Sequence, residues 1–267
     1  VFIPLVLGLY IKGLNESRRW QYAIFFAVIF WFTSTTSITN MRAFILELLF
    51  IFFYFFYYVF THREQLKRVL KFSLLSFGFF LLFSFYIILP LIFDIFKIFA
   101  ETKVTYQEIN FTWFDAFKLN SSSSMIKTFR FLGSWALSAT NKGYPYYYWY
   151  TSYKNFFFVI SSFIVIGLAL LPFFLLAKKE IRSTKKIVYF FLFIFLFGLL
   201  VTLGEKNAFV LFLANKIKYF PIIFSLPAFH GSTFQIIGFC VLYAFGYSTV
   251  AGFIQTRLQR GLIFILF

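Results

Sequence analysis

The sequence predicts an all-α integral membrane protein, on the basis of its apolar composition, its long apolar segments and the placement of its charges. Hydrophobic residues occupy 61% of the 267 positions and the mean hydropathy is +0.83, whereas a soluble domain is about 45–50% apolar. Phenylalanine alone contributes 48 residues, more than one soluble core of this size could bury. Such side chains face acyl chains without cost, so a membrane-embedded helical bundle follows.

Six segments are long and apolar enough to cross a bilayer, since a spanning helix needs about 20 mostly apolar residues. A shorter apolar run at each end resembles a truncated span, which brings the predicted bundle to about seven or eight helices in one polytopic domain over residues 1–267. Because Val1 lies inside such a run and no initiator Met precedes it, we expect the chain to be a fragment of a longer protein. The full segments are Trp20–Ile38, Ala43–Phe60, Phe72–Phe93, Phe156–Ala177, Ile187–Leu203 and Thr233–Ile254, and the short runs are Val1–Ile11 and Gly261–Phe267.

A further apolar stretch, Pro221–Phe229, is too short to span and holds two prolines. Proline removes a backbone donor and interrupts a helix. Irregular backbone is not tolerated against lipid, so this stretch is predicted to be a re-entrant or broken helix packed within protein.

Basic residues concentrate in alternate gaps between the apolar segments, and this pattern predicts the orientation of the chain. Cytoplasmic loops carry an excess of Lys and Arg, so the richer gaps are predicted to be cytoplasmic in a multi-pass plasma-membrane protein. The opposite, extracytoplasmic side then receives a long loop, about residues 94–155, and a second loop, about residues 204–232. The richer gaps hold 14 of the 25 basic residues: Lys12, Arg18, Arg19, Arg63, Lys67, Arg68, Lys71, Lys178, Lys179, Arg182, Lys185, Lys186, Arg257 and Arg260.

The same charge distribution bears on partners and metals. The net charge of +16 is spread over membrane-flanking gaps, which is typical of topology determinants, so lipid is the predicted partner and nucleic acid is not. The single cysteine, Cys240, lies in an apolar run and excludes a disulfide within the chain. No spacing of His, Cys or acidic residues predicts a metal site.

The long loop contains a predicted amphipathic helix. Ser121–Ser124 offers an N-cap, and the spacing of the apolar residues that follow places them on one helical face, with Lys127 and Arg130 pointing elsewhere. Such a helix lies along the membrane interface. The apolar face consists of Met125, Ile126, Phe129, Leu132 and Ala136.

Cationic and aromatic residues of this loop are the candidate substrate-binding residues. Lys127 and Arg130 suit a phosphate or diphosphate group, although contact with anionic lipid headgroups fits them as well. Trp135, Tyr148 and Trp149 would stack on the faces of a sugar. Because Tyr and Trp also collect at headgroup level, and this aromatic run directly precedes the span from Phe156, an aromatic belt is the alternative.

Three acids are weak candidates for a catalytic base, namely Glu47, Asp94 and Asp115. Glu47 lies about a turn and a half inside a predicted span, where an ionised side chain is costly. A role at the mouth of a cavity and simple solvation by a neighbouring helix both fit it. His230 lies between the broken segment and the next span, so both a substrate contact and a structural role remain open.

Three stretches carry a resemblance to a known family. Val1–Ile38, the loop segment Met125–Leu137 (Met-Ile-Lys-Thr-Phe-Arg-Phe-Leu-Gly-Ser-Trp-Ala-Leu) and Ser225–Gly246 resemble multi-spanning glycosyltransferases of the GT-C superfamily, closest to the arabinofuranosyltransferase-like group. The likeness is one of segment order and loop style, without a diagnostic motif.

The resemblance implies an enzyme that takes a sugar from a polyprenyl-phosphate donor and transfers it, with inversion, to a glycan, lipid or protein acceptor at the outer face. It also implies a carboxylate base in the first outer loop, and some members of the superfamily need a divalent metal. Thr39–Arg42 is the first outer turn here and contains no acid, so that base is expected upstream of Val1. From the residues alone, a transporter or flippase for an amphipathic substrate and a non-catalytic membrane scaffold remain alternatives.

Overall fold

The computed structural model describes residues 3–16, 19–38, 41–101, 114–121, 124–131, 140–141, 144–145, 152, 154–175, 185–217 and 219–266. The chain divides into two compact units, Val1–Ile109 and Asn110–Phe267. We call them the N-terminal unit and the C-terminal unit and describe each by itself.

The N-terminal unit is a bundle of helices. They are α1 (Ile3–Asn15), α2 (Arg19–Ile38), α3 (Met41–Thr61) and α4 (Leu66–Glu101), with a single 3-10 turn, Arg63–Gln65, between α3 and α4. The helix α2 packs along α4 and against α1. The short connections between consecutive helices favour antiparallel neighbours, as in other bundles.

The core of the N-terminal unit is built from aromatic rings. Phe30 is fully buried and lies 4.5 Å from Phe80, centroid to centroid. Tyr10 is also fully buried, and its ring lies 5.5 Å from each of Phe26 and Phe72 in tilted geometry. Tilted and edge-to-face rings add about 0.5–1.5 kcal/mol per pair beyond the area they bury, so part of the large phenylalanine content is used inside the bundle.

The C-terminal unit is also helical apart from a two-residue antiparallel strand pair, in which Thr140–Asn141 pairs with Tyr144–Pro145. Its longest helix, α11 (Pro227–Leu266), packs against α8 (Lys185–Leu203) and α7 (Phe156–Leu175). The helices are α5 (residues 114–119), α6 (Met125–Phe129), α7 (Phe156–Leu175), α8 (Lys185–Leu203), α9 (Ala208–Lys216), α10 (Phe220–Ile223) and α11 (Pro227–Leu266), with a 3-10 turn at Gly204–Lys206 after α8.

Glycines bring α8 and α11 into close contact. A Cβ added at Gly198 would lie 2.6 Å from the carbonyl oxygen of Gly231, and one added at Gly238 would lie 2.6 Å from the backbone nitrogen of Phe195. Distances this short between a Cβ and backbone atoms do not occur, so only glycine allows this approach. Small residues have the same role in other membrane helix pairs, where close backbone packing replaces the hydrophobic effect as the source of stability.

The structure confirms the predicted all-α class, and several of its helices have the length and apolar composition of membrane spans. Four helices in the described part of the chain are long and apolar enough to cross a bilayer, with spans at Phe44–Thr61, Arg63–Phe85, Lys186–Lys206 and Pro227–Gly252. Two shorter apolar helices, Ile3–Asn15 and Phe156–Leu171, accompany them. The total of about seven or eight spans stays a prediction.

Two predicted boundaries differ from the structure. The long loop predicted from about Asp94 begins later, because α4 continues to Glu101 over 36 residues. Likewise Gly261–Phe267 is not a separate span, since α11 runs for 40 residues to Leu266 and includes Arg257 and Arg260. At 1.5 Å per residue, α11 is about 60 Å long, about twice the hydrocarbon thickness of a bilayer.

Residues 204–232, predicted as an outer loop, contain short helices. Asn207 caps α9, and its side chain accepts hydrogen bonds from the backbone nitrogens of Phe209 and Val210 at 3.0 and 3.1 Å. The expected break near the prolines is present, because α10 ends at Ile223 and α11 begins at Pro227. Proline is favoured in the first turn of a helix, where its missing N–H would have no partner.

Candidate functional site

Glu47 lies on the buried face of α3, within the apolar span Phe44–Thr61. Only 7% of its surface is exposed within the N-terminal unit. Its carboxyl group lies within hydrogen-bond reach of the side chain of Thr33 on α2, and Thr33 is itself buried and donates its hydroxyl proton to the carbonyl oxygen of Phe30 at 3.0 Å. An ionisable group in such a position is costly and usually marks function.

The second carboxyl oxygen of Glu47 is also buried. Within the described part of the chain, no group donates a hydrogen bond to Oε2. A polar atom buried without a partner costs about 1–3 kcal/mol. The N-terminal unit is therefore less stable with Glu47 than it would be with an apolar side chain of the same size at this position. Glu47 is therefore the acidic candidate that the structure singles out.

The C-terminal unit holds a second polar site, on residues 124–131, which we call the basic segment. It contains the five-residue helix α6, and Ser124 occupies the predicted N-cap position without a side-chain cap hydrogen bond. Met125 and Ile126 are 57% and 63% exposed, as expected for apolar side chains that face lipid. Leu132 and Ala136, which were predicted to extend this face, lie outside the described residues.

Two kinds of contact fix the basic segment to the long helices. The side chain of Gln235 on α11 is fully buried, and its Nε2 donates to the carbonyl oxygen of Thr128 at 2.8 Å. Two aromatic pairs add to this hydrogen bond: the ring centroid of Phe129 lies 5.9 Å from that of Phe195, and the centroid of Phe131 lies 5.0 Å from that of Phe239. Because one of these partners belongs to α8 and two to α11, the segment is held at the contact between the two helices.

Phe131 ends the basic segment in an unusual conformation. Its φ is +58°, in the left-handed region that a non-glycine residue rarely adopts. The strain amounts to about 1–3 kcal/mol. The aromatic contact with Phe239 compensates part of this cost, so the turn at Phe131 is imposed by packing on α11.

The guanidinium of Arg130 is oriented by α7. Its Nε donates to Ser162 Oγ at 2.9 Å, and Ser162 can accept because its own proton is donated to the carbonyl oxygen of Val159 at 2.7 Å. Lys127 lies three residues earlier and is half-exposed. The segment therefore presents two cations at one turn of spacing, with the Arg130 side chain held in a defined position.

Among the remaining predicted site residues, His230 and Asp115 have side chains that the structure describes. His230 is 4% exposed and lies beside the ring of Phe229, 5.8 Å between centroids. Asp115 is half-exposed on α5. The side chain of Asp94, and all of Trp135, Tyr148 and Trp149, lie outside what the structure describes.

Three polar residues of the two sites were missed from the sequence: Thr33, Ser162 and Gln235. Each lies inside a predicted span, and Gln235 is an amide among apolar residues. A buried amide must find hydrogen-bond partners, so its presence in a predicted span was a usable signal. The acceptor of its hydrogen bond, the carbonyl oxygen of Thr128 on the basic segment, could not be predicted from the sequence.

A metal site remains a prediction of the resemblance alone. The described residues bring together no group of three or more His, Cys, Asp or Glu side chains suited to a metal ion. The chain matches no protein-family model, and comparison with curated proteins and with solved structures gives no significant match either. The basic segment and Glu47 therefore have to be interpreted from their own chemistry.

Proposed function

We propose that this chain belongs to a membrane glycosyltransferase that takes a sugar from a polyprenyl-phosphate donor and transfers it to a glycan, lipid or protein acceptor at the outer face of the membrane. The observation that supports this proposal is the basic segment. It places Lys127 and Arg130 beside the exposed apolar side chains of Met125 and Ile126. A phosphate joined to a long hydrocarbon chain matches this combination, since cations bind the phosphate and apolar side chains contact the prenyl chain.

The proposed chemistry is displacement at the anomeric carbon. The acceptor hydroxyl oxygen forms a bond to that carbon while the bond between the carbon and the donor phosphate oxygen breaks, and polyprenyl phosphate leaves. The hydroxyl proton passes to a carboxylate base. Lys127 and Arg130 would stabilise the charge that develops on the leaving phosphate. Trp135, Tyr148, Trp149 and His230 remain proposed sugar contacts.

The proposed function requires the basic segment to lie at the outer face of the membrane and therefore predicts the orientation of the chain. In the Cys240→Ala background, which removes the single native cysteine, we expect a cysteine introduced at Ser122 to react with a membrane-impermeant maleimide in intact cells. A cysteine introduced at Ser183 should react only after permeabilisation, because the gap around it carries five basic residues: Lys178, Lys179, Arg182, Lys185 and Lys186. The reverse labelling pattern would place the basic segment in the cytoplasm and contradict the proposal.

Arg130→Ala is expected to lower sugar transfer from a polyprenyl-phosphate donor about 10- to 100-fold in isolated membranes, because a hydrogen bond to a charged group contributes about 1.5–3 kcal/mol. The measurement is the initial rate with radiolabelled donor at equal protein levels. Arg130→Lys should retain part of the activity, since a lysine supplies the charge without the fork of donors.

Two further variants separate this role from a general loss of charge. Lys154→Ala removes an exposed cation near the start of α7 and should leave the rate unchanged. Gln235→Leu keeps both cations but removes the bond to Thr128, so it should lower the rate by releasing the segment. A rate that does not change in Arg130→Ala would assign Arg130 to contact with lipid headgroups instead.

A specific observation favours a second function, transport of an amphipathic substrate. Glu47 is a buried carboxyl group inside a membrane span, and carboxyl groups in this position serve as proton or ion relays in transporters. This second proposal rests on the N-terminal unit alone. Its test is the replacement of Glu47 with leucine.

A further inference from the structure

The N-terminal unit carries a cavity that opens at its surface. It has a volume of about 530 Å³ and lies between α3 and α4, with Tyr10 of α1 at its floor. We call it the groove. Its walls are large apolar side chains, and several are exposed at the surface, including Phe52 at 54% and Leu74 at 74%.

The floor of the groove offers no free hydrogen-bonding group. Ser73 Oγ donates to the carbonyl oxygen of Val69 at 2.9 Å. The hydroxyl of Tyr10 must therefore donate to Ser73 Oγ, at 2.6 Å, because a serine hydroxyl has a single proton. Both hydroxyl protons are therefore already donated within the protein. The groove presents a hydrocarbon surface that fits a hydrocarbon chain.

The length of the groove fits one leaflet of a bilayer. Its α3 wall runs from Ile45 to Phe56, which is about 16 Å at the rise of an α-helix. Half of the hydrocarbon core of a bilayer is about 15 Å thick. The α4 wall runs from Leu70 to Phe77, so the groove begins near the connection between α3 and α4.

Cations stand at that end of the groove. Lys67 precedes the lining residue Leu70 by three positions on α4, so the two side chains are neighbours on one helical face. Lys67 and Lys71 are exposed. Arg68, between them, instead turns inward and donates to the carbonyl oxygens of Asn15 and Glu16 at 2.9 and 3.2 Å. Arg63 and Glu64 of the preceding 3-10 turn are exposed as well. Three exposed cations therefore outnumber one exposed carboxylate at this end of the groove, and the net exposed charge is positive.

We propose that the groove binds one acyl chain of an anionic phospholipid, with its phosphate headgroup at Lys67 and Lys71. An apolar channel of one-leaflet length that ends at two exposed cations is complementary to this class of lipid in both shape and charge. A zwitterionic phospholipid would fill the groove equally well but gain less from the lysines.

Native mass spectrometry of the purified full chain in a non-ionic detergent tests the proposal, with phosphatidylglycerol and phosphatidylcholine of identical acyl chains as the two probes. We expect phosphatidylglycerol to be retained more strongly, with a preference of about fivefold for each lysine near the headgroup. In the double variant Lys67→Gln with Lys71→Gln, phosphatidylglycerol should be retained no more strongly than phosphatidylcholine. Removal of the same number of exposed charges elsewhere, by Lys154→Gln with Lys216→Gln, should preserve it.

A second pair of variants tests the acyl site. Leu49→Trp fills the groove and should reduce retention of both lipids, whereas Leu82→Trp, on an exposed part of α4 that does not line the groove, should change neither. Equal retention of the two lipids in the unaltered chain would overturn the proposal. So would retention that survives Leu49→Trp, or a dimer that forms in place of the lipid complex.

Discussion

Replacing Gly238 with alanine is expected to destabilise the C-terminal unit, and Gly198→Ala, whose added Cβ would meet the backbone of α11, should do so at least as strongly. The added Cβ of Gly238→Ala would meet the Phe195 backbone nitrogen at 2.6 Å and the Phe191 carbonyl oxygen at 2.7 Å. These are backbone atoms, which cannot rotate away as a side chain can. The helices α8 and α11 must then separate, and overpacking of this kind costs about 1–3 kcal/mol or more. Thermal unfolding of the purified chain in detergent measures the loss.

Gly167→Ala on α7 is the matched control. A Cβ at Gly167 would have no neighbour within 4 Å, so the substitution adds no contact. Alanine is favoured over glycine inside a helix by about 0.5–1 kcal/mol, and the control should therefore unfold at the same temperature as the unaltered chain or slightly higher. Equal unfolding temperatures for Gly167→Ala and Gly238→Ala would show that α8 and α11 are not in glycine-mediated contact.

These glycines also show which part of the packing could be predicted from the sequence. Gly231 and Gly238 are seven residues apart and therefore lie on one face of α11. A helix face with small side chains could thus be recognised from the sequence. Gly167 also lies in an apolar helix, yet no atom outside that helix would come within 4 Å of a Cβ added there. The presence of a glycine in a helix therefore does not show whether another helix packs against it. The sequence predicts which helix face carries small residues, whereas the contact of that face with a second helix depends on long-range packing.

The helices were predictable because a chain in lipid must satisfy its backbone hydrogen bonds internally. Their ends were less predictable. Asp94 and the basic residues Arg257 and Arg260 were interpreted as marks of loops, but α4 and α11 continue past them. Arg, Gln and Leu are favourable residues in a helix, so a change in polarity along these stretches ends the apolar surface without ending the helix. Polarity and helix termination are separate signals.

The candidate sites divide in the same way. Lys127 and Arg130 were predictable as cations on an amphipathic segment, because charge and apolar spacing are local properties. The residues that hydrogen-bond to this segment were not predictable, since Ser162 follows Arg130 by 32 residues and Gln235 follows Thr128 by 107. Nothing in the local pattern of either segment specifies such a pairing. A single sequence therefore identifies the functional groups but not the residues that orient them.

Glu47→Leu is expected to raise the stability of the N-terminal unit by about 1–3 kcal/mol, the usual cost of burying a polar group without full hydrogen bonding. Leucine is similar in size to glutamate and brings no polar atom to a position where Oε2 has no donor within the described residues. Thr33 loses a polar neighbour, but its hydroxyl still donates to the carbonyl oxygen of Phe30, so the substitution leaves this hydroxyl proton with its acceptor. Thermal unfolding in detergent measures the change.

The same variant tests whether Glu47 has a functional role. If the carboxyl group relays a proton or an ion, Glu47→Leu should abolish substrate movement in reconstituted vesicles while it stabilises the chain, a combination that structural damage does not produce. Ser76→Ala is the control, since Ser76 is fully buried in the same unit and its hydroxyl has no partner within the described residues. It should stabilise the chain and leave transport and sugar transfer unchanged. Normal activity in Glu47→Leu would contradict the transport proposal, and a loss of stability would show that the carboxyl group is fully satisfied where it lies.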